Sequence, residues 1–275
     1  GIVCLSYASS FSMIIISVVL VGIGSSIFHP EASRISFLAS GGKRGLAQSI
    51  FQLGGNAGTA IGPLLVALIV VPNSQYYIIW FVVVAIIGLI VLSRIALWYQ
   101  NHLSLRSAKK AVIDLPNLSQ KKIVISVGIL LVLIFSKFFY MASMSSYFTF
   151  YLIEKFGLSV QEAQFHLVLF LASCAIGTLI GGPLGDKFGR KYVIWFSVLG
   201  AAPFTLLLPY VDLFWTGVLS VLIGIIISSA FPAILVYAQE LLPKKLGMVS
   251  GLFYGFAFGM GGLGSALLGN LADHT

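Results

Sequence analysis

Asp186-Lys187-Phe188-Gly189-Arg190-Lys191 places a carboxylate four residues before a guanidinium, with a glycine between them, in a short gap between apolar runs. A carboxylate so placed can face a neighbouring helix N-terminus, where the macrodipole favours an anion, while Arg190 can pair with an acid at an adjacent helix end. Glu240, at the end of another apolar run, is the candidate acid. Contacts of this kind hold one end of a helix bundle closed and release when it opens. Further polar residues lie inside apolar sequence, where a charge is costly and marks function. His29, Pro30, Glu31 and Arg34 form one cluster. Glu31 and Arg34 are three apart and share a helix face, and Pro30 loosens the backbone between them. His29 and Glu31 are the candidate proton carriers, and the residues leave open which of them titrates. The planar fork of Arg34 suits the oxygens of an anionic substrate, although a purely structural Glu31/Arg34 pair fits the same spacing.

Gln48, Gln52 and Asn56 recur every four residues and make one polar stripe, which is expected to line a central cavity and contact substrate, the alternative being bonds to a neighbouring helix. Lys137, Tyr140, Met144, Tyr147 and Tyr151 follow a 3-4-3-4 spacing on another helix. Lys137 stands about 15 residues, or roughly 22 Å, from the polar end of its segment, too deep to reach water easily there. It either attracts an anionic substrate, with Tyr140 one turn away, or pairs with a carboxylate. His166 reads as a packing or vestibule histidine, and Asp273 and His274 as solvated. No HExxH, Cys/His cluster, nucleophile-base pairing or phosphate-cradling loop is present, so the residues support neither a metal site, nor a cofactor, nor an enzyme.

The elements that position these residues follow from composition. Of 275 residues, 59% are hydrophobic and 9% charged, a third or so of the charge that a soluble chain carries. The mean hydropathy of +1.03 describes a chain whose solvent is mostly lipid. Residues 1 to 9 read as the tail of a helix, followed by apolar segments at 11–39, 45–71, 76–99, 123–153, 160–182, 192–210, 213–242 and 246–271. That predicts an all-α, polytopic bundle of about eight complete spans and a stub. The net charge of +8 is not a nucleic-acid footprint, because the basic residues fall in the gaps between spans rather than in one patch. Thirteen of the sixteen Lys/Arg flank or occupy GGKRG (41–45), the polar stretch 100–122, GDKFGRK (185–191) and LPKK (242–245). The positive-inside bias therefore assigns these loops to the cytoplasm, with 100–122 as a linker between 1–99 and 123–275. Cys4 and Cys174 sit in apolar sequence and form no disulfide framework.

An ungapped internal match appears at an offset of 202: Gly22/Gly224, Ser26/Ser228, Pro30/Pro232, Lys43/Lys245, Gly45/Gly247, Phe51/Phe253 and Gly62/Gly264 coincide. Transporters are commonly built from duplicated halves, and the matched proline, lysine and glycines carry the inference. On that basis the first-half partner of 123–153 would begin about 80 residues before Gly1, and the partner of 76–99 just past Thr275. The expectation is a parent of six plus six helices, with the second half here lacking its last helix.

Gly182, Asp186, Lys187, Gly189, Arg190 and Lys191 match the G-x-x-x-D-[RK]-x-G-[RK]-[RK] loop of the major facilitator superfamily. Gly58, Gly62 and Pro63 resemble the G-x-x-x-G-P core of its antiporter motif, although Val66-Ala67 stands where a Gly pair is usual. The runs GSSIFHPEASR, GLAQSIFQLGGNAG, FSKFFYMASMSSYFTFYLIEKFGLS, ILVYAQELLP and GLFYGFAFGMGGLG resemble, from end to end of the chain, the bacterial fosmidomycin-resistance efflux transporters of that superfamily. The resemblance implies a monomeric carrier in the bacterial inner membrane that exports a small phosphonate antibiotic in exchange for protons, with the proton gradient rather than a cofactor as its energy source. It implies gating at Gly182, Asp186, Gly189, Arg190, Glu240, Gly58, Gly62 and Pro63. Uptake or exchange of an organic anion, such as a sugar phosphate or carboxylate, is the alternative within the same class. A membrane-embedded enzyme or receptor is the rival outside it.

Overall fold

The computed structural model describes residues 1–106 and 118–272, except for the side chains at 60, 63, 64, 67, 102–106 and 272. Among the described residues every regular element is helical. A short α1 (Ile2–Ser6) precedes α2 (Phe11–Ala39), α3 (Arg44–Leu65), α4 (Phe81–Arg106), α5 (Gln120–Phe156), α6 (Val160–Phe188), α7 (Arg190–Leu207), α8 (Leu213–Ser228), α9 (Ala230–Leu241) and α10 (Leu246–Ala272). Seven helical segments among the described residues are long and apolar enough to cross a bilayer. The expected span at 45–71 is helical but is not one of the seven. Its amide stripe interrupts the apolar run, and its continuation over Val66–Val70 widens into a π-helix. The expected linker 100–122 is narrower than its polarity suggests, since α4 runs on to Arg106 and α5 begins at Gln120. Residues 107–117 of that linker, and Asp273 and His274, lie outside the described residues.

Two prolines separated by the 202-residue offset differ in what becomes of the helix that carries them. Pro232 has no N–H for the carbonyl of Ser228, and the expected segment 213–242 parts at Ser229 into α8 and α9. Pro30 occupies the matching place in α2, which stays a single helix. Left-handed glycines end the helices where the chain must turn sharply: Gly157 closes α5 with φ 66°, and Gly189, φ 99°, reverses α6 into α7. That conformation gives the glycine of the 186–191 loop a steric reason.

The chain parts into two compact units, Gly1–His29 with Gly58–Leu115, and Pro30–Ala57 with Pro116–Thr275. In the first, Gln75 Nε2 donates to the carbonyls of Leu5 and Ala8, and the Tyr7 and Tyr76 rings meet edge-on at 5.3 Å. In the second, α9 runs through the middle. Phe231, Ala233, Ile234, Leu235 and Ala238 are buried against Ile134 of α5, Val193 and Ile194 of α7, and Phe253 and Tyr254 of α10. Glycines of α6 bring backbones into direct contact, which in lipid substitutes for a hydrophobic driving force between helices. A side chain at Gly177 would meet the carbonyl of Ile225, one at Gly181 that of Ser229, and one at Gly182 that of Gly45 on α3.

Candidate functional site

The chemistry concentrates where α3, α6, α7 and α9 meet at the end that carries the basic loops, wholly within the second unit. Both Asp186 carboxylate oxygens accept backbone N–H groups at the start of α3, Oδ1 from Gly45 and Oδ2 from Leu46, each at 2.9 Å. The carboxylate thus caps two of the donors that a helix N-terminus leaves unsatisfied, and it meets the positive end of the dipole. Arg190 Nη1 lies 2.6 Å from Asp186 Oδ1, and its Nη2 lies 3.4 Å from Glu240 Oε1. Arg44, at the first turn of α3, reaches the same Glu240 oxygen at 3.1 Å while its guanidinium covers the Phe37 ring. Glu240 therefore receives one arginine from each half of the repeat. Just beneath, Ser49 donates to the carbonyl of Thr178 and accepts from Gly182 N–H, where α3 and α6 touch through Gly45 and Gly182.

One turn deeper a fully buried amide-hydroxyl cluster joins four helices. Gln48 Nε2 donates to the Ser33 carbonyl and hydroxyl at 2.7 and 2.9 Å, and Gln239 Nε2 donates to Ser33 Oγ at 3.0 Å and Ser250 Oγ at 2.8 Å. Gln48 Oε1 and Gln239 Oε1 are buried with no partner among the described residues. In this arrangement the stripe bonds neighbouring helices. Gln48 bonds α2, Gln52 Oε1 accepts from Tyr254 of α10 at 3.3 Å, and Asn56 Nδ2 donates to Thr178 of α6 at 3.4 Å. Amides on three successive turns thus each bond a neighbouring helix, as lipid favours, while Gln48 keeps its oxygen without a partner among the described residues. Gln52 and Tyr254 are also repeat mates, separated by 202 residues. Gln48 and Ser250 are mates too, and both reach Ser33 Oγ.

The other expected residues are more dispersed. Glu31 and Arg34 pair at 3.2 Å, both substantially exposed, beside Gly247 of α10. His29 instead turns to Ser25, its Nδ1 at 3.0 Å from the carbonyl and 3.1 Å from the hydroxyl. Lys137 points its ammonium at the faces of Phe231 and Phe138, 5.1 and 5.6 Å from their centroids. Among the described residues no carboxylate lies within ion-pair distance of it. Tyr140 meets Thr205 at 3.5 Å and borders a hollow of about 250 Å³ between α5 and the end of α7, together with Tyr147 and Tyr151. Among the described residues nothing lies within 4 Å of a side chain added at Gly58 or Gly62, whereas one added at Gly45 would meet the carbonyl of Gly182. Pro63 lies outside the described side chains.

Arg44, counted in the sequence only as a topogenic charge, and Ser33, Ser49, Thr178, Gln239, Ser250 and Tyr254 escape a reading by residue type. The repeat held a usable signal for Ser250 and Tyr254, which map onto Gln48 and Gln52. Replacing Gln239 by Leu removes the amide that ties Ser33 to Ser250, and we expect it to cost about 1–3 kcal/mol. The check is the melting midpoint of the detergent-solubilised protein, and combining the change with Gln48→Leu should be less than additive because both amides share Ser33.

Seven long apolar helical segments among the described residues, with amides hydrogen-bonded between helices and a carboxylate capping the start of α3, define a multi-pass helical membrane protein. The chain belongs to the Major Facilitator Superfamily, whose family pattern matches residues 1–269. It is 59% identical over 275 residues to the fosmidomycin resistance protein of Escherichia coli (strain K12), covering 100% of this chain and 68% of that protein. It is 43% identical over 277 residues to an uncharacterised MFS-type transporter, YfnC, of Bacillus subtilis (strain 168), covering 99% and 68%. A shorter match, 33% over 128 residues, covers 45% of this chain and 28% of a gallate transporter of Pseudomonas putida.

Proposed function

We propose that this protein exports fosmidomycin or a similar small phosphonate from the bacterial cytoplasm across the inner membrane, in exchange for protons, by alternating access. The single observation that carries the substrate is the 59% identity, over the whole chain, to a fosmidomycin resistance protein. The clasp supports alternating access: its contacts join α3 to α6, α7 and α9 at the basic-loop end, as closure of a carrier on that side would require. It is built to release. The buried cluster carries two amide oxygens without partners among the described residues, a burden of about 1–3 kcal/mol each that opening to water removes. On this reading Arg34 and Lys137 are the cations that attract the phosphonate, Tyr140 lines its path, and Glu31 or His29 handles the proton. The stripe Gln48, Gln52 and Asn56 belongs to the closure rather than to substrate contact. Exchange of an organic anion is the second reading, favoured by the stretch shared with a gallate transporter.

Inverted membrane vesicles containing the full chain should take up labelled fosmidomycin when a proton gradient is imposed and stop when an uncoupler collapses it. Uptake that ignores the uncoupler removes proton coupling, and absence of uptake removes the substrate. Excess gallate should not compete; competition would favour the second reading. In the same vesicles Lys137→Met should lower the rate by about tenfold or more, since a cation held between rings in low dielectric is the strongest attraction available to an anion. Lys137→Arg should retain part of it, and equal loss in both variants would assign Lys137 to packing.

A further inference from the structure

A groove of about 260 Å³ on the flank of the second unit takes no part in the clasp. Gly177, Ile180, Leu184 and Phe188 form one wall on α6, and Tyr192 and Phe196 of α7 form the other, with Ile225 of α8 beneath. The wall residues on α6 recur every three or four positions and those on α7 every four, so each helix presents one continuous face. Phe188, Tyr192 and Phe196 are exposed, which leaves the rim open. From Gly177 to Phe188 the groove runs about 16 Å along α6, close to half of a hydrocarbon core of about 30 Å, the depth of a single leaflet.

Its Phe188 end is basic. Lys187 Nζ stands 5.2 Å from the centroid of the Phe188 ring that lines the groove, and Lys191 immediately precedes Tyr192 on the opposite wall. Arg190, between them, is held by Asp186 and Glu240, whereas no described carboxylate lies within 4 Å of either lysine. A tyrosine at the same level is the residue type that settles at a headgroup boundary. We infer that this groove binds an anionic diacyl phospholipid of the leaflet on the basic-loop side, one acyl chain between α6 and α7 and the phosphate on Lys187 and Lys191. Apolar length, depth and charge select the same occupant: a free phosphate has no use for the groove, and a zwitterionic lipid has less use for the lysines. Because α6 and α7 meet at Gly189, with Asp186 in the last turn of α6 and Arg190 at the start of α7, the lipid rests beside the clasp. The inference needs only membrane embedding and stands apart from the substrate reading.

The test is native mass spectrometry of the full chain released from detergent after equilibration with equimolar phosphatidylglycerol and phosphatidylcholine of the same acyl composition. One phosphatidylglycerol should be retained preferentially, and Lys187→Gln with Lys191→Gln should bring the ratio close to one, about fivefold per lysine. The control Lys244→Gln with Lys245→Gln, in another basic loop, should leave the ratio unchanged. Filling the groove with Ile180→Trp, or with Leu184→Phe if the first variant folds poorly, should lower retention of both lipids. Equal retention of the two lipids by the unaltered protein overturns the proposal. So does a preference that survives loss of Lys187 and Lys191, or retention that ignores the filled groove.

Discussion

Replacing Gly182 by alanine should abolish transport and lower the melting midpoint, although it adds only one methyl group. The new carbon would meet the Gly45 carbonyl and the Ser49 hydroxyl, and a carbon added at Gly45 would meet the Gly182 carbonyl in return. Overpacking a core costs about 1–3 kcal/mol, and the upper end applies here because a backbone carbonyl has no rotamer into which to retreat. The helices must move apart. Separating them also breaks the Gly182 N–H bond to Ser49 and pulls the α3 N-terminus away from Asp186. Gly54→Ala on the same α3 is the control: nothing lies within 4 Å of its added carbon, and alanine favours helix by about 1 kcal/mol over glycine. Gly182→Ala should therefore lose fosmidomycin export and melt lower, while Gly54→Ala should export normally and melt no lower. Normal export by Gly182→Ala would mean that the α3–α6 contact is not part of the transport cycle.

The contrast between these glycines shows what sequence can and cannot specify. Most spans were legible because lipid imposes a long apolar run on a helix that crosses it; the exceptions are 45–71, whose amides interrupt the run, and 213–242, which parts at Ser229. The partners of Asp186 and Arg190 were legible in kind, since a carboxylate at helix-end level has few favourable neighbours besides an N-terminus and a cation. The neighbour of Gly45 was not legible: Gly45, Gly54, Gly58 and Gly62 all lie on α3, and only the crossing angle of two helices decides which one meets a backbone. The neighbours of the amide stripe were not legible for a related reason. Gln48, Gln52 and Asn56 fix a face, but three different helices take up that face, and cavity and neighbour are indistinguishable until those helices are placed. Gln239 and Ser33 carry no periodic signal at all, because each is a single polar residue, and the two that bond each other lie 206 positions apart.

Asp186→Asn should have the next largest effect, and a graded series around it tests whether the charges act as a clasp. An asparagine retains one oxygen, enough for one of the Gly45 and Leu46 N–H groups, but it loses the charge that the dipole and Arg190 require. Asp186 and Arg190 are 17% and 11% exposed, so little solvent compensates, and breaking such a pair costs on the order of 3 kcal/mol. In a two-state equilibrium that is roughly a hundredfold loss of the arrangement closed at this end. Glu240→Gln should do less, since its amide oxygen still accepts from an arginine. Arg44→Gln should do least, because at 42% exposure its pair with Glu240 is screened by solvent and fades with added salt. Spin labels at Lys43→Cys and Lys244→Cys read the closure directly. With the natural cysteines replaced, Asp186→Asn should move their distance distribution to a longer population, and Arg44→Gln should leave it nearly unchanged. Export rates should fall in the same order. If Arg44→Gln matches Asp186→Asn in both readouts, the clasp acts by its number of charges rather than by their burial, and the helix-cap account of Asp186 fails.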